Sequence, residues 1–180
     1  MTEVICPTGC ENDLPELSMS DCNPEVDFGE IGVIYLTNVD NPLADWSDID
    51  VWNLRLSNTS TNVDAIRFFY VAGDKPPAEV NEIKISLCRT VYSEKIHVVN
   101  FDVDETNNTN YDAMRQIECG GTYLAWYATK NKIYGGNNGI EVEISMNHNI
   151  TRGCTELNLI PGTLKWQDKH HPEVIDNPLN

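Results

Sequence analysis

Apolar and polar residues alternate with a period of two along much of this chain. "IEVEISMNHNI" (140–150) puts Ile140, Val142, Ile144 and Met146 on one side, and acids plus His148 on the other. That pattern predicts a strand with one buried face, because successive strand side chains point to opposite sides. "EVNEIKISLCRTV" (79–91) alternates through Val80, then Ile83, Ile85 and Leu87. "SEKIHVVNFDVDE" (93–105) alternates through Ile96 and Val98, then Phe101 and Val103. Tyr92-Ser93 lies between these runs and predicts the turn of a long hairpin over 79–103. "FGEIGVIYLT" and "AIRFFYVAG" are rich in β-branched and aromatic residues and predict two more strands. "TYLAWYATKNKIYGG" predicts a strand that bends at Asn131, and "NNG" at 137–139 is a turn signal. "TELNLIPGTLKWQD" predicts two short strands broken at Pro161-Gly162.

A helical period appears twice. In "LADWSDIDVWNLRLSN", Trp46, Ile49, Val51 or Trp52, and Leu56 recur every three to four residues, with Asp45 or Ser47 as the cap. In "TNNTNYDAMRQIECGG", Tyr111, Met114 and Ile117 form one face of a helix at about 110–119, capped by Thr109 or Asn110 and stopped at Gly120-Gly121. Residues 1–27 have no period and carry Pro7, Pro15 and Pro24, which predicts an extended N-terminal arm. "KHHPEVIDNPLN" reads as a polar tail. The expected organisation is an arm (1–27), one β domain (28–175) and a short C-terminal tail (176–180). About seven strands, most of them half-buried, and two helices predict antiparallel sheets closed as a β-sandwich or barrel, or a half-barrel, with one or two short flanking helices.

A length of 180 residues suits one domain with a core of its own. The net charge of −16, from 28 acids against 12 Lys plus Arg, excludes a protein that grips nucleic acid through phosphates. An acidic wall can still face a polyanion and repel it. No apolar run is long enough to span a bilayer, so no membrane contact is expected. "MTEVICPTGC" has neither a basic start nor an apolar h-region, so the expectation is a chain that starts in a reducing cytoplasm.

No catalytic or phosphate-binding motif is present, so no catalytic residue, cofactor or enzymatic activity is assigned. His170-His171 are neighbours, which on a strand point to opposite sides and chelate one ion poorly. His97 and His148 read as solvated or hydrogen-bonded. Cys6, Cys10 and Cys22 do not have a standard zinc spacing, and no metal is assigned. Three readings stand for them: ligands completed by Cys154 or a tail histidine, a disulfide, or reduced thiols on an arm that docks onto a neighbouring subunit. The last is the expectation. Cys88 and Cys119 read as small buried hydrophobes. Trp46, Trp52, Trp126, Tyr127 and Trp166 have the chemistry to stack on sugars, but their neighbours place them in a core.

The arm gains little by folding on its own domain. The hairpin at 79–103 can bury one face and leave its edges for the next copy, which gives a head-to-tail contact able to close into a ring.

The order of elements adds to this. The hairpin leads through "AMRQIECGG" and "TYLAWYATKNKIYGG" to "GIEVEISMNHNITRG" and "LIPGTLKWQDKHHPEV". Over roughly 28–175 this layout resembles the tail-tube-like structural proteins of bacteriophages, including those of the crAss-like group. The resemblance implies a β-sandwich or half-barrel whose copies form a ring, as a hexamer or dodecamer, in the virion tail after assembly in the host cytoplasm. Hairpins would line a continuous channel through which genome DNA passes without specific binding. Glu79, Glu82, Glu94, Asp102 and Asp104 would then be the lumen-facing residues, and neighbouring tail or connector proteins the further partners. The six cysteines depart from a minimal tube subunit. They leave open a tail ring or a head-tail connector. A monomeric β-sandwich that binds glycans is the rival class.

Overall fold

The computed structural model describes residues 29–58, 64–86, 89–104, 108–119, 121–147 and 159–180, with backbone only at 81–86, 89–93, 104 and 108–111. The arm with Cys6, Cys10 and Cys22, and also Cys88, His148 and Cys154, lie outside the described residues. In chain order the elements are β1 (Ile31–Asn38), α1 (Ile49–Leu56), β2 (Arg67–Asp74), β3 (Glu79–Ser86), β4 (Arg89–Asp104) and α2 (Asn108–Cys119). They continue with β5 (Thr122–Ala128), β6 (Lys132–Tyr134), β7 (Ile140–Met146), β8 (Leu159–Asp168) and β9 (Val174–Asp176).

The fold is mainly β and antiparallel throughout, as the alternation predicts. Its sheet goes further than a half-barrel. Strands run β1-β2-β4-β8-β7-β5, and β5 pairs back with β1, so six strands close a barrel within one chain. Closure removes the sheet edges that an open sheet would expose. The interior is filled by Ile34, Leu36, Phe69, Val99, Phe101, Val103, Ala125, Tyr127, Val142, Ile144, Leu164 and their neighbours, all buried. On β7 the faces alternate without exception, with Ile140, Val142, Ile144 and Met146 buried and Glu141, Glu143 and Ser145 exposed. Helix α2 packs Met114 and Ile117 onto this core, and the Met146 amide donates to Glu118 Oε1.

A second core lies outside the barrel. Tyr35, Leu124, Trp126 and Ala128 point outward from β1 and β5 and meet Leu43, Trp46, Trp52 and Ile66. This explains the unbroken apolar run of β5, since a strand buried on both faces does not alternate. Trp52 and Trp126 pack edge to face with centroids 5.5 Å apart. Their indole N–H groups donate to the carbonyls of Trp46 and Gly136. Arg55 ties the layer down by donating to the carbonyls of Asp64, Pro42 and Asn41 and to Thr37 Oγ1.

Several expectations need correction. Helix α1 begins at Ile49 with Asp48 as its N-cap, whose side chain accepts from the Asp50 amide. Asp45 instead holds the preceding turn through Ser47, and Trp46 lies before the helix. The 159–168 region is one strand, not two. Pro161 keeps its carbonyl in use, accepting from the Asn147 amide, and Gly162 makes room for the Phe101 ring. The turn of the hairpin is not at Tyr92-Ser93, because β3 ends at Ser86 and β4 runs from Arg89 straight through that dipeptide. The break in alternation there is a bulge: Val80 pairs Lys95 while Glu82 pairs Tyr92, so β4 holds one extra residue. The tail is also part of the fold, since β9 pairs β6 and Leu179 packs on the outer core. Cys119 is exposed rather than buried.

Candidate functional site

Two features stand apart from the closed barrel. The first is a two-stranded ribbon. Residues 95–104 of β4 pair β8 along one edge, and 100–102 pair β2 along the other. β3 pairs β4 from Ile96 opposite Glu79 to Arg89 opposite Ser86, and below Lys95 it is the partner of β4 that remains. Strand β3 pairs only β4, so its outer edge carries no strand among the described residues. At about 3.3 Å per residue its eight residues present about 26 Å of open backbone edge.

The acids singled out for a lumen lie on this ribbon and its root. Glu79 and Glu94 are exposed and Asp102 is half-buried. Glu79 pairs Ile96, and Asp102 alternates with the inward Phe101 and Val103, so Glu79 and Asp102 share the face that continues the outside of the barrel. Glu82 pairs Tyr92 and Asp104 pairs Leu159, both placed by backbone alone. None of the described acids lies in the barrel interior, which is apolar and packed. A polymer channel can therefore exist only between copies.

The second feature is the barrel end from which the ribbon springs, where β8 finishes. His97 is 0% exposed and stacks on Trp166 with ring centroids 5.1 Å apart and planes 7° from parallel. Its Nε2 faces the Asp168 carbonyl at 3.3 Å, and its Nδ1 is buried without a hydrogen-bond partner among the described residues. The His171 ring stands edge-on to His97 at 5.5 Å, and the Lys75 ammonium sits 5.9 Å from the Trp166 ring centroid. Burial pushes the His97 pKa below its ordinary value; Lys75 and His171 push it further down, while the Asp168 carbonyl and carboxylate pull it up. Burial also lowers Lys75. Tyr127 stacks on Tyr134 and packs towards Trp166, and burial raises its phenol well above the ordinary value. Beside this cluster an open groove of about 570 Å³ runs between the 135–141 turn and the 166–173 segment.

The sequence missed this cluster. It took Ile96 and Val98, then Phe101 and Val103, as the apolar positions of β4; Phe101 and Val103 do face in, but His97 and Val99 precede them there in place of Ile96 and Val98. The available signal was the odd-numbered frame of Val99, Phe101 and Val103, which extends back to His97. His170 and His171 are exposed as expected, although His171 touches His97. No group of three or more His, Cys, Asp or Glu among the described residues is placed to hold a metal ion. Trp46, Trp52, Trp126, Tyr127 and Trp166 are at most 7% exposed, so none presents a face on which a sugar could stack. No helix among the described residues is long and apolar enough to cross a membrane.

Fold and ribbon together define a closed antiparallel β-barrel with a two-stranded ribbon continuing from it. No protein-family model matches the chain, and no curated protein matches it.

Proposed function

We propose that the protein is a structural subunit that joins copies of itself, with the β3–β4 ribbon as the joining element. One observation carries this reading: six strands close the barrel within one chain, and the outer edge of the ribbon carries no strand among the described residues. An unprotected edge strand is a template for another chain. Here it is kept in a protein that has closed its other core strands. Pairing of that edge with a different surface of the next copy is a head-to-tail contact, and such contacts close into rings when the rotation allows.

The order of elements resembles that of phage tail-tube-like proteins, and this resemblance supports a tail assembly. In that arrangement the ribbons surround a channel in the virion tail, and the arm with Cys6, Cys10 and Cys22 contacts neighbouring subunits. Glu79, Glu82, Glu94, Asp102 and Asp104 supply an acidic lining. A wall of the same sign as DNA repels the polymer and lets it pass without being held. The net charge of −16 and the shared outward face of Glu79 and Asp102 support this reading.

Val80 pairs Lys95, so residues 81–94 can be replaced by an Asn-Gly turn that closes a short hairpin. Light scattering and negative-stain images of the full chain should give rings or short tubes. The shortened variant should remain monomeric with an unchanged melting temperature. A full chain that stays monomeric at every concentration, or a shortened variant that still assembles, defeats the reading.

A further inference from the structure

We propose that His97 is the pin of an acid-sensitive latch that fixes the base of the β3–β4 ribbon to the barrel end. The latch concerns the single chain. Its consequence for assembly rests on the joining role given to the ribbon above.

Position comes first. On one edge β4 is paired by β2 at 100–102 and by β3 at 89–96, so residues 97–99 fall between the two partners. The chain crosses from β2 to β3 at this level through Lys75-Pro76-Pro77-Ala78. His97 is thus where the ribbon leaves the barrel, and β8 is its neighbour on the other edge. The β4–β8 ladder runs through this point and on to Lys95 opposite Asp168, and side chains reinforce it: the His97 ring on Trp166, the Lys75 ammonium near the same indole, and His171 against the His97 edge.

Chemistry comes second. A carbonyl only accepts, so Nε2 carries the hydrogen that it donates to Asp168 O, and Nδ1 of the neutral ring is a bare lone pair. Protonation puts an N–H on Nδ1, a buried atom with no partner among the described residues. A buried donor without an acceptor is strongly disfavoured. The new charge also meets Lys75 from the β2–β3 connection and His171 from the segment after β8; against these stand the Asp168 carboxylate at the end of β8 and the weaker pull of the Trp166 ring face. The stack therefore favours the neutral ring over the charged one.

The direction with pH follows. As pH falls below 6.5, an opened or unfolded chain takes up a proton at His97 that the closed stack refuses. The closed form loses stability from that point downward, until the pH reaches the lowered folded-state value. Acid should free the ring, expose Trp166 and loosen the last rungs of the β4–β8 ladder at 95–97, from which the ribbon projects.

The test uses the full chain. A histidine NMR titration should find His97 titrating below 6.5. Near-ultraviolet circular dichroism should lose the Trp166 signal as the medium is acidified from pH 7 to pH 5. His97→Phe keeps the stacked ring without the titration and should hold that signal at pH 5. Lys75→Glu offers the charged ring a counter-ion and should hold it too. His97 titrating at or above 6.5, or an acid transition undiminished in His97→Phe, overturns the latch. If His97→Phe does not fold, the wild-type titration still decides. Light scattering over the same range tests the consequence: assemblies should dissociate in acid for wild type and persist for the soluble variant. Absence of assemblies at any pH overturns the joining role of the ribbon, and the titration then judges the latch separately.

Discussion

At the scale of single residues the barrel depends on places where a side chain must be absent or must be of one kind. Gly162 is such a place, because any Cβ there overlaps the Phe101 ring at the barrel wall. Gly162→Ala should destabilise the fold by about 1–3 kcal/mol, since overpacking a filled core forces neighbours off their rotamers. Thermal unfolding followed by far-ultraviolet circular dichroism measures this, and an unchanged melting temperature would show that the wall yields. Read along the chain, Pro161-Gly162 looks like a break between strands. The reason for the glycine is an aromatic ring on another strand, which local spacing does not reveal. His97 has the same character. Its residue type suggests a solvated position, but the register of β4 turns it inward onto Trp166. The acids Glu79 and Glu94 were legible as exposed, because charge on a half-buried strand faces water wherever no partner is buried with it.

At the scale of elements, helix α1 and the turn before it form the lid of the outer core. Trp52 is fully buried and touches both Tyr35 and Trp126. Trp52→Ala should cost about 3–5 kcal/mol, the range for emptying a large aromatic from a packed site. Chemical denaturation should register that loss while the barrel keeps its β-type spectrum. A loss below 1 kcal/mol would mean that the outer core adds little. Both helices were visible in the sequence from their apolar spacing, but not the cap at Asp48. Aspartates at 45, 48 and 50 compete for that role, and the geometry of the turn decides among them. The strand faces of β7 were fully legible, because a period of two is a local property. The misplaced turn of the hairpin has a physical reason too. A β-bulge and a turn break alternation in the same way, and only the pairing of β3 with β4 tells them apart.

At the scale of the whole molecule, charge and closure set the behaviour. Copies carrying −16 each repel one another, so the proposed assembly through the ribbon should strengthen as salt rises from low to physiological strength, where the screening length is about 8 Å. Light scattering across a salt series checks this. Assembly that weakens with salt would mean that attraction between charges, not the strand edge, holds the copies. The sequence by itself determined the antiparallel β class, the two helices, the faces of the well-alternating strands and the acidic balance. Each of these follows from composition or from the repeat of a few neighbouring residues. Only the tertiary structure decided that β1 pairs β5 and closes the barrel, that a second core of tryptophans lies outside it, and that His97 is buried where the ribbon departs. Those outcomes depend on which distant strands meet. That choice is made by the summed packing of both cores against the entropy of closing long loops, and no short stretch of sequence carries it.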